Sequence, residues 1–530
     1  MATTVMYSEV VRGGKTPRRH PPPVIALPLC VAAAAFIVAV GLPSSDPDMW
    51  WHLASGRWML EHGEPLRVEI FSSTAAGRPY VVGEWLGQVV LAAVHGAAGW
   101  SGLAVLRAAL VALAAFSLTR VALRAARGDL DGSASQRRLP RTSATAIAIG
   151  VVAVALALSK IAWTDRPQLF SIALFPLLLD LLFMARAGER RALFAVPPLI
   201  FVWSDLHGGY ALGLVVVTIF AADAALARRQ AGAFALAAAA SIAVVLANPA
   251  AIGVLPATAH VATAPRNIVE EAPPDVLTPA GAVFALFVLG TLGALLLRGG
   301  SLLSALLLVP LLWLALSAQR HMVFFVFAAV PLLSEAAADT WARWRGRRDE
   351  QGRQERGLRE GVPPTRSSAA LPKGEQTALI EEGAPRVAAR ARKPLTPGVA
   401  VLLSLAALAS IPTTAPTAPD ETLYPREALE ALRSSSGVLI HEYDWGGWLI
   451  WNAPTRPVFV DGRLVPYVPD ILDDHLRATL LRPGWRRIVE HHSVAQALLD
   501  PDRPLAGALR EEGWRVVREG SGFVLLERPQ

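Results

Sequence analysis

What most constrains this chain is a repeated feature: runs of about 20 apolar residues, the length a helix needs to cross the hydrocarbon core of a bilayer. The first is Val24–Leu42. Others lie near 104–123, 143–163, 168–185, 191–204, 209–227, 231–247, 279–297, 301–317, 322–339 and 397–412. Together they predict an all-α polytopic membrane domain of about eleven spans. The chain is 53% hydrophobic, above the roughly 45–50% of soluble proteins, and the excess sits in these runs. No small-residue cleavage site of the A-x-A kind follows the first run, which therefore reads as an uncleaved anchor. The single cysteine, Cys30, lies inside it, so an intrachain disulfide is excluded.

The net charge of +7 is concentrated in one place: segment 342–394 holds 13 Lys and Arg against 7 Asp and Glu. That distribution fits a cationic cytoplasmic loop and argues against a nucleic-acid partner. Arg12, Lys15, Arg18 and Arg19 put the N-terminal tail, 1–23, in the cytoplasm. Segment 43–102 is then an outer loop. Its run Gly83–Ala98 is expected to lie along the membrane surface. If it crossed, the cluster Arg124, Arg127, Arg137, Arg138 and Arg141 would fall outside, against the charge rule. This arrangement gives a membrane domain over 24–341, a disordered basic cytoplasmic loop over 342–395, and a last span over 396–412. A small extracytoplasmic α/β domain follows over 413–530. In that domain strands are expected at Gly437–Tyr443, Pro457–Asp461, Val494–Leu499, Trp514–Arg518 and Gly522–Glu527. Helices at Asp470–Leu481 and Leu505–Glu512 separate some of them.

The same bookkeeping gathers another set of groups on the outer side. They are Asp46, Asp48, His52, Arg57, Glu84, Asp165, Arg166, Asp205, His207, Arg266, Glu270, Glu271, Arg320 and His321, with Trp50, Trp51, Trp58, Trp85, Trp163 and Trp203 beside them. Loop residues are often simply polar. Ionisable groups at membrane depth are costly, however, and that points to function. Asp180 and Asp223 fall within runs and read as interhelical hydrogen-bond partners. Arg57 reads as snorkelling to headgroups.

The densest chemistry follows the first run directly, in Asp46-Pro-Asp-Met-Trp-Trp-His-Leu-Ala-Ser-Gly-Arg-Trp-Met-Leu-Glu-His-Gly63. Two carboxylates at i and i+2 around a proline cannot share a helix face, and the rigid turn aims them above the membrane. Trp51, Ala54, Trp58 and Met59 are then spaced for one face of an amphipathic helix lying in the interface.

Here the chain resembles the GT-C superfamily of polytopic glycosyltransferases, such as protein O-mannosyltransferases and the aminoarabinose transferases of lipid A. Those enzymes have an acidic pair after the first span, then a stretch resembling A-R-x-M-L-x-x-G, here Gly56–Gly63. The resemblance maps the catalytic aspartate onto Asp48 and further acidic residues onto Glu84 and Asp165. The chain is also similar to an uncharacterised bacterial subgroup through Arg166-Pro-Gln-Leu-Phe170, Leu206-His-Gly-Gly209, Asp444-Trp-Gly-Gly447 and Asp461-Gly-Arg463. It departs from the superfamily in carrying Asp-Pro-Asp in place of an Asp-Glu pair. Gly446–Gly447 reads as a turn, not a phosphate loop, because no Lys-Ser/Thr follows. Asp461-Gly-Arg463 reads as a turn first and a ligand site second.

The resemblance implies an inverting transferase of the bacterial cytoplasmic membrane. It would move a sugar from a polyprenyl-phosphate donor to a glycan, lipid or protein acceptor on the extracytoplasmic side. Asp48 would be the general base. Arg166 and Arg320 would bind phosphate, and His207 or His321 would donate a further hydrogen bond. His52 and Asp165 count with the substrate-binding groups. Asp46 and Glu84 would position the base or, with Asp48, ligate Mg²⁺ or Mn²⁺; no cofactor is required. Two rival expectations are a lipid-linked-sugar transporter or flippase, which predicts mid-membrane charges and paired broken helices, and a non-catalytic scaffold.

Overall fold

The computed structural model describes residues 25–130, 140–247, 272–298, 301–359, 405–407, 409, 411 and 413–529. The expected tail 1–23, the outer groups Arg266, Glu270 and Glu271, segment 360–395 and most of the expected span 396–412 lie outside the described residues.

The N-terminal part is helical. Its elements are α1 (Ala26–Val40), α2 (Met49–His62), α3 (Trp85–Arg127), α4 (Arg141–Ser159), α5 (Gln168–Arg186), α6 (Val196–Leu206), α7 (Tyr210–Leu226), α8 (Ala231–Leu246), α9 (Pro279–Arg298), α10 (Leu302–Ser317) and α11 (Met322–Arg359). Among the described residues, 5 helices are long and apolar enough to cross a membrane: Trp85–Arg127, Arg141–Ala162, Gln168–Arg186, Pro279–Leu297 and Gln319–Arg353. Four further apolar helices, at 26–40, 210–226, 231–246 and 302–317, are shorter. The protein is an integral membrane protein. The structure does not confirm the sequence count of about eleven spans. The run at 191–204, for example, divides into a 3-10 turn over Arg190–Ala195 and an 11-residue α6. Pro197 and Pro198 explain the division, because proline is tolerated in the first turn of an α-helix but not in its interior.

Helix α3 is the centre of the bundle and packs against α1, α2, α4, α5 and α11. Ala104, Ala108, Ala115 and Ala122 recur on one of its faces and are fully buried, so neighbouring helices approach closely. The helix breaks at Gly99, whose φ of 61° and ψ of −154° are open to glycine. The segment before the break begins at Trp85 and takes in most of the run Gly83–Ala98. Contacts bring the end of α1 and the turns α4–α5 and α6–α7 together with the start of α3 at one end of the bundle: Arg166 reaches Asp48, Trp85 reaches Asp205 and Ser171 reaches His207. At the opposite end Asp180 pairs with Arg124 at 2.7 Å and Arg120 at 3.1 Å, and Asp223 pairs with Arg186. These two aspartates join helices, as their positions within apolar runs suggested.

Two expectations need correction. Helix α11 continues to Arg359, past residue 342 where disorder was expected to begin; a charged sequence without apolar periodicity can still extend a helix already nucleated by packing. Helix α2 does not lie on the bundle with one face to lipid. Met49, Trp50, Trp51, His52, Leu53, Ser55, Gly56 and Met59 are all buried, because α2 is held between α3 and the C-terminal domain.

That domain contains a four-stranded sheet, β1 (Val438–His441), β2 (Val494–Leu499), β3 (Arg515–Gly520) and β4 (Phe523–Glu527), in the order β1-β2-β4-β3. β1 and β2 are parallel, and the β3–β4 hairpin adds antiparallel to β2. Helices α12 (Gly446–Asn452), α13 (Asp470–Thr479), α14 (Trp485–His491) and α15 (Pro504–Glu511) surround it. Segment Pro457–Asp461, expected as a strand, is not in the sheet. Its Val458 bridges Ser72 of the outer loop instead. An extended apolar run reveals its strand character but not its partner.

Candidate functional site

The acidic turn is built by its own backbone. Asp46 Oδ1 accepts the Asp48 N–H at 2.9 Å, and Pro47 between them fixes the bend. Asp46 is buried, while the Asp48 side chain keeps 28% of its exposure. Asp48 uses its two oxygens differently. Oδ1 accepts from Trp51 Nε1 at 2.9 Å, and Oδ2 accepts from Arg166 Nη1 at 3.1 Å. Arg166 also approaches Asp46, with Nε 3.4 Å from Oδ2. It arrives from the turn before α5, where Pro167 already holds a helical φ of −54°. One guanidinium thus spans both carboxylates of the motif.

Two further groups flank this cluster. Glu84 precedes α3, and its Oε1 lies 3.5 Å from His52 Nδ1; Gln88 Nε2 lies 3.3 Å from the same nitrogen. Burial pushes the Glu84 carboxyl up to about 7, against the pull of Arg166. Burial, with Arg166, pushes His52 well below the usual imidazole range, so it is neutral at pH 7. His207 begins the turn into α7. Its Nδ1 accepts the Gly209 N–H at 3.0 Å and lies 2.7 Å from Ser171 Oγ, which itself accepts from Trp203 Nε1 at 2.7 Å. An acceptor Nδ1 puts the proton of the neutral ring on Nε2. Burial, then Arg166 and Arg320, hold His207 down at about 3. The influence of both arginines on one imidazole brings Arg166 and Arg320 into a common electrostatic environment. Arg320 and His321 form a one-turn 3-10 segment, Gln319–His321, between α10 and α11.

Asp165 behaves otherwise. It pairs with Arg107 at 2.7 Å, and both side chains are 1% exposed. Arg107 also donates to the carbonyls of Ala39, Leu42 and Pro43 at the end of α1. The sequence reading passed over Arg107, although an arginine inside an apolar run is itself a signal. Its role here is to tie α1, α3 and the α4–α5 turn together. Arg57 also differs from expectation: its guanidinium sits 3.5 Å over the Trp451 ring rather than reaching for headgroups.

The largest surprise is the C-terminal domain. Asp461–Arg463 is a turn as expected, whereas Gly446–Gly447, also expected as a turn, opens helix α12; both motifs pack on the acidic turn. Trp50 meets Trp100 and Tyr424 edge-on, and Tyr424 stacks on Trp448 at 5.4 Å. Beside them, Arg463 is fully buried. It contacts Asp461 at 2.5 and 2.7 Å, Glu69 of the outer loop at 2.5 and 3.0 Å, and Tyr467 Oη at 2.9 Å. Burial alone would raise Asp461, but Arg463 holds it below the usual carboxylate range. For Glu69 burial prevails and the shift is upward. Sequence reasoning did not single out Glu69, which lies in irregular chain with no periodicity to mark it.

The residues present do not suit a divalent cation. Asp46 and Asp48 face Arg166 and Glu84 faces His52, so the three carboxylates do not converge. Among the described residues no group of three or more His, Cys, Asp or Glu side chains could hold a metal ion.

No protein-family model matches the chain, and no curated protein does. Among solved structures, the oligosaccharyltransferase of Archaeoglobus fulgidus in its apo form is similar over 90% of this chain and 69% of its own, with a TM-score of 0.53 at 12% identity. ArnT from Cupriavidus metallidurans, bound to undecaprenyl phosphate, is similar over 96% of this chain and 99% of its own, with a TM-score of 0.47 at 14% identity. The likeness to the oligosaccharyltransferase shows that the fold of this chain is GT-C-like.

Proposed function

We propose that this protein is an inverting membrane glycosyltransferase that moves a sugar from a polyprenyl-phosphate donor to an acceptor on the extracytoplasmic side of a bacterial cytoplasmic membrane. The observation that carries the reading is the Asp48 carboxylate. It is partly exposed and held between Trp51 and Arg166, at the end of the bundle where Glu84, His207 and Arg320 also lie. The GT-C-like fold supports it. The charge rule supports the sidedness, with the N-terminus and the 342–395 segment cytoplasmic and domain 413–530 outside.

In the proposed reaction the acceptor O–H or N–H approaches Asp48, which takes the proton as the acceptor atom bonds to the anomeric carbon. Proton removal by a placed carboxylate contributes roughly 10²–10⁴-fold. The bond from that carbon to the phosphate oxygen breaks on the opposite face, and the electron pair leaves with polyprenyl phosphate. Arg166 and Arg320 stabilise the departing phosphate as fixed cations. His207 Nε2–H adds a neutral donor. Glu84 and His52 orient the turn, and Asp165 acts through Arg107 as a structural anchor. No step requires a metal.

The test is transfer from undecaprenyl phosphate carrying radiolabelled hexoses or amino sugars in membranes, wild type against Asp48→Asn. Loss of at least about 10²-fold is expected. Equal transfer by both proteins removes Asp48 from the mechanism, and transfer from no donor in the panel sinks the reading.

A further inference from the structure

Gly462 faces the carboxylate on which the proposed chemistry turns. A methyl group on its Cα would lie 1.9 Å from Asp48 Oδ1 and 3.0 Å from both Asp48 Cγ and Trp51 Nε1. Only glycine lets the backbone of the C-terminal domain come this close. Two other glycines make the approach possible from behind. A methyl on Gly446 would meet the Val460 carbonyl oxygen at 2.2 Å and Asp461 Cβ at 2.8 Å, and one on Gly447 would meet the Pro47 carbonyl oxygen at 2.9 Å. The glycines of the Asp444–Gly447 and Asp461–Arg463 motifs are therefore used in layers: α12 seats the 461–463 turn, and both seat the Asp46–Asp48 turn.

The 461–463 turn has little freedom to retreat. Asp461 and Arg463 are fully buried and bonded to each other, to Tyr467 and to Glu69. The chain just before it is fixed as well. Val458 N–H donates to the Phe71 carbonyl at 3.0 Å, Ser73 N–H donates to the Val458 carbonyl at 2.9 Å, and Thr74 Oγ1 donates to the Phe459 carbonyl at 2.5 Å. Asp48 is by contrast the partly exposed member of the contact. Any group added at 462 displaces the carboxylate rather than the turn.

We propose that Gly462 is a positioning residue: the anchored 461–463 turn braces the Oδ1 side of Asp48 and keeps its carboxylate between Trp51 Nε1 and Arg166, so the C-terminal domain completes the centre. This rests on the reading of Asp48 as the base. A domain that merely covers the site would tolerate a methyl here by a small shift, with no selective effect on turnover.

The experiment uses the full chain and two measurements. In the transfer assay, Gly462→Ala lowers kcat at least about tenfold while the donor KM stays within about twofold, because a displacement of ångström size misorients the base without removing the phosphate contacts. Gly507→Ala, where nothing lies within 4 Å, stays at the wild-type rate. In thermal unfolding of detergent-solubilised protein, a double-mutant cycle pairs Gly462→Ala with Asp48→Ala. Asp48→Ala removes the atoms the methyl would strike, so the fall in Tm caused by Gly462→Ala shrinks by at least about half in that background. This arm needs no donor. If Gly462→Ala alone fails to accumulate, its recovery on adding Asp48→Ala reports the same coupling. Wild-type kcat for Gly462→Ala alongside an inactive Asp48→Asn overturns the positioning role and leaves the function intact. Wild-type activity for Asp48→Asn overturns the function itself. An equal fall in Tm in both backgrounds overturns the contact.

Discussion

Replacing Arg463 by methionine tests what docks the C-terminal domain. The arginine gives five contacts of 2.5–3.0 Å to Asp461, Glu69 and Tyr467, and its side chain and those of both carboxylates are 0% exposed. Methionine fills similar volume but leaves two buried carboxylates facing each other. Breaking a buried pair by removing one partner costs about 3–5 kcal/mol. At 1.36 kcal/mol per decade, the population with the domain undocked rises about 10²–10⁴-fold. Limited proteolysis under conditions where opening is fast relative to cleavage reads that population. Arg510→Met, which breaks the exposed 2.8 Å pair with Glu519, changes cleavage by at most a few-fold. The pH dependence carries a sign. Without Arg463, burial and mutual repulsion raise both carboxyls in the folded state above their unfolded values. The variant is then least impaired near pH 5, and its deficit grows as pH rises toward 8, because the unfolded chain ionises first. Cleavage of Arg463→Met within a few-fold of wild type, or a deficit independent of pH, would refute the reasoning.

Glu84 gives a second pH signature. Its folded carboxyl sits at about 7 against an ordinary 4.5, so its contribution is favourable while it is protonated and is lost as pH rises through that window. Glu84→Gln is expected to stabilise the protein at pH 8 on the order of 1–3 kcal/mol and to have little effect at pH 4; equal Tm shifts at both would count against the burial. Asp165→Asn, read as structural, should lower Tm by several degrees and reduce the folded yield. Its kcat per folded molecule should stay within about threefold of wild type, since the residue faces Arg107. A selective loss of kcat or donor affinity at unchanged Tm would return Asp165 to the substrate.

Much of the site was legible because helix alternation is arithmetic. Once apolar runs are counted, Asp48, Glu84, Arg166, His207 and Arg320 must share an end, and the structure sets Asp46 and Asp48 against the Arg166 guanidinium and Glu84 against the His52 imidazole. Periodicity could not assign partners. It showed that α2 has an apolar face, but not that protein rather than lipid covers it. It placed Asp165 beside Arg166, but the partner that decides its role is Arg107, 58 residues away. It read Asp461-Gly-Arg463 correctly as a turn. What that turn touches is set by pairing with Glu69 across 394 residues, a separation at which local sequence carries no information.

These long-range contacts bear on how the proposed reaction would run. In the proposed reaction Arg166 would be shared by the two halves of the chemistry, since it is bonded to Asp48 and would also hold the departing phosphate. As negative charge develops on the phosphate, the guanidinium is drawn toward it and its hold on Asp48 weakens. A carboxylate losing a cationic neighbour becomes a stronger base. Leaving-group departure and proton removal are thereby coupled through one side chain, which works only if Asp48 stays in place as Arg166 relaxes. In the proposed reaction Trp51 on one side and the braced turn at Gly462 on the other would supply that restraint, and the C-terminal domain, far along the chain, would then take part in the chemistry at the helix ends.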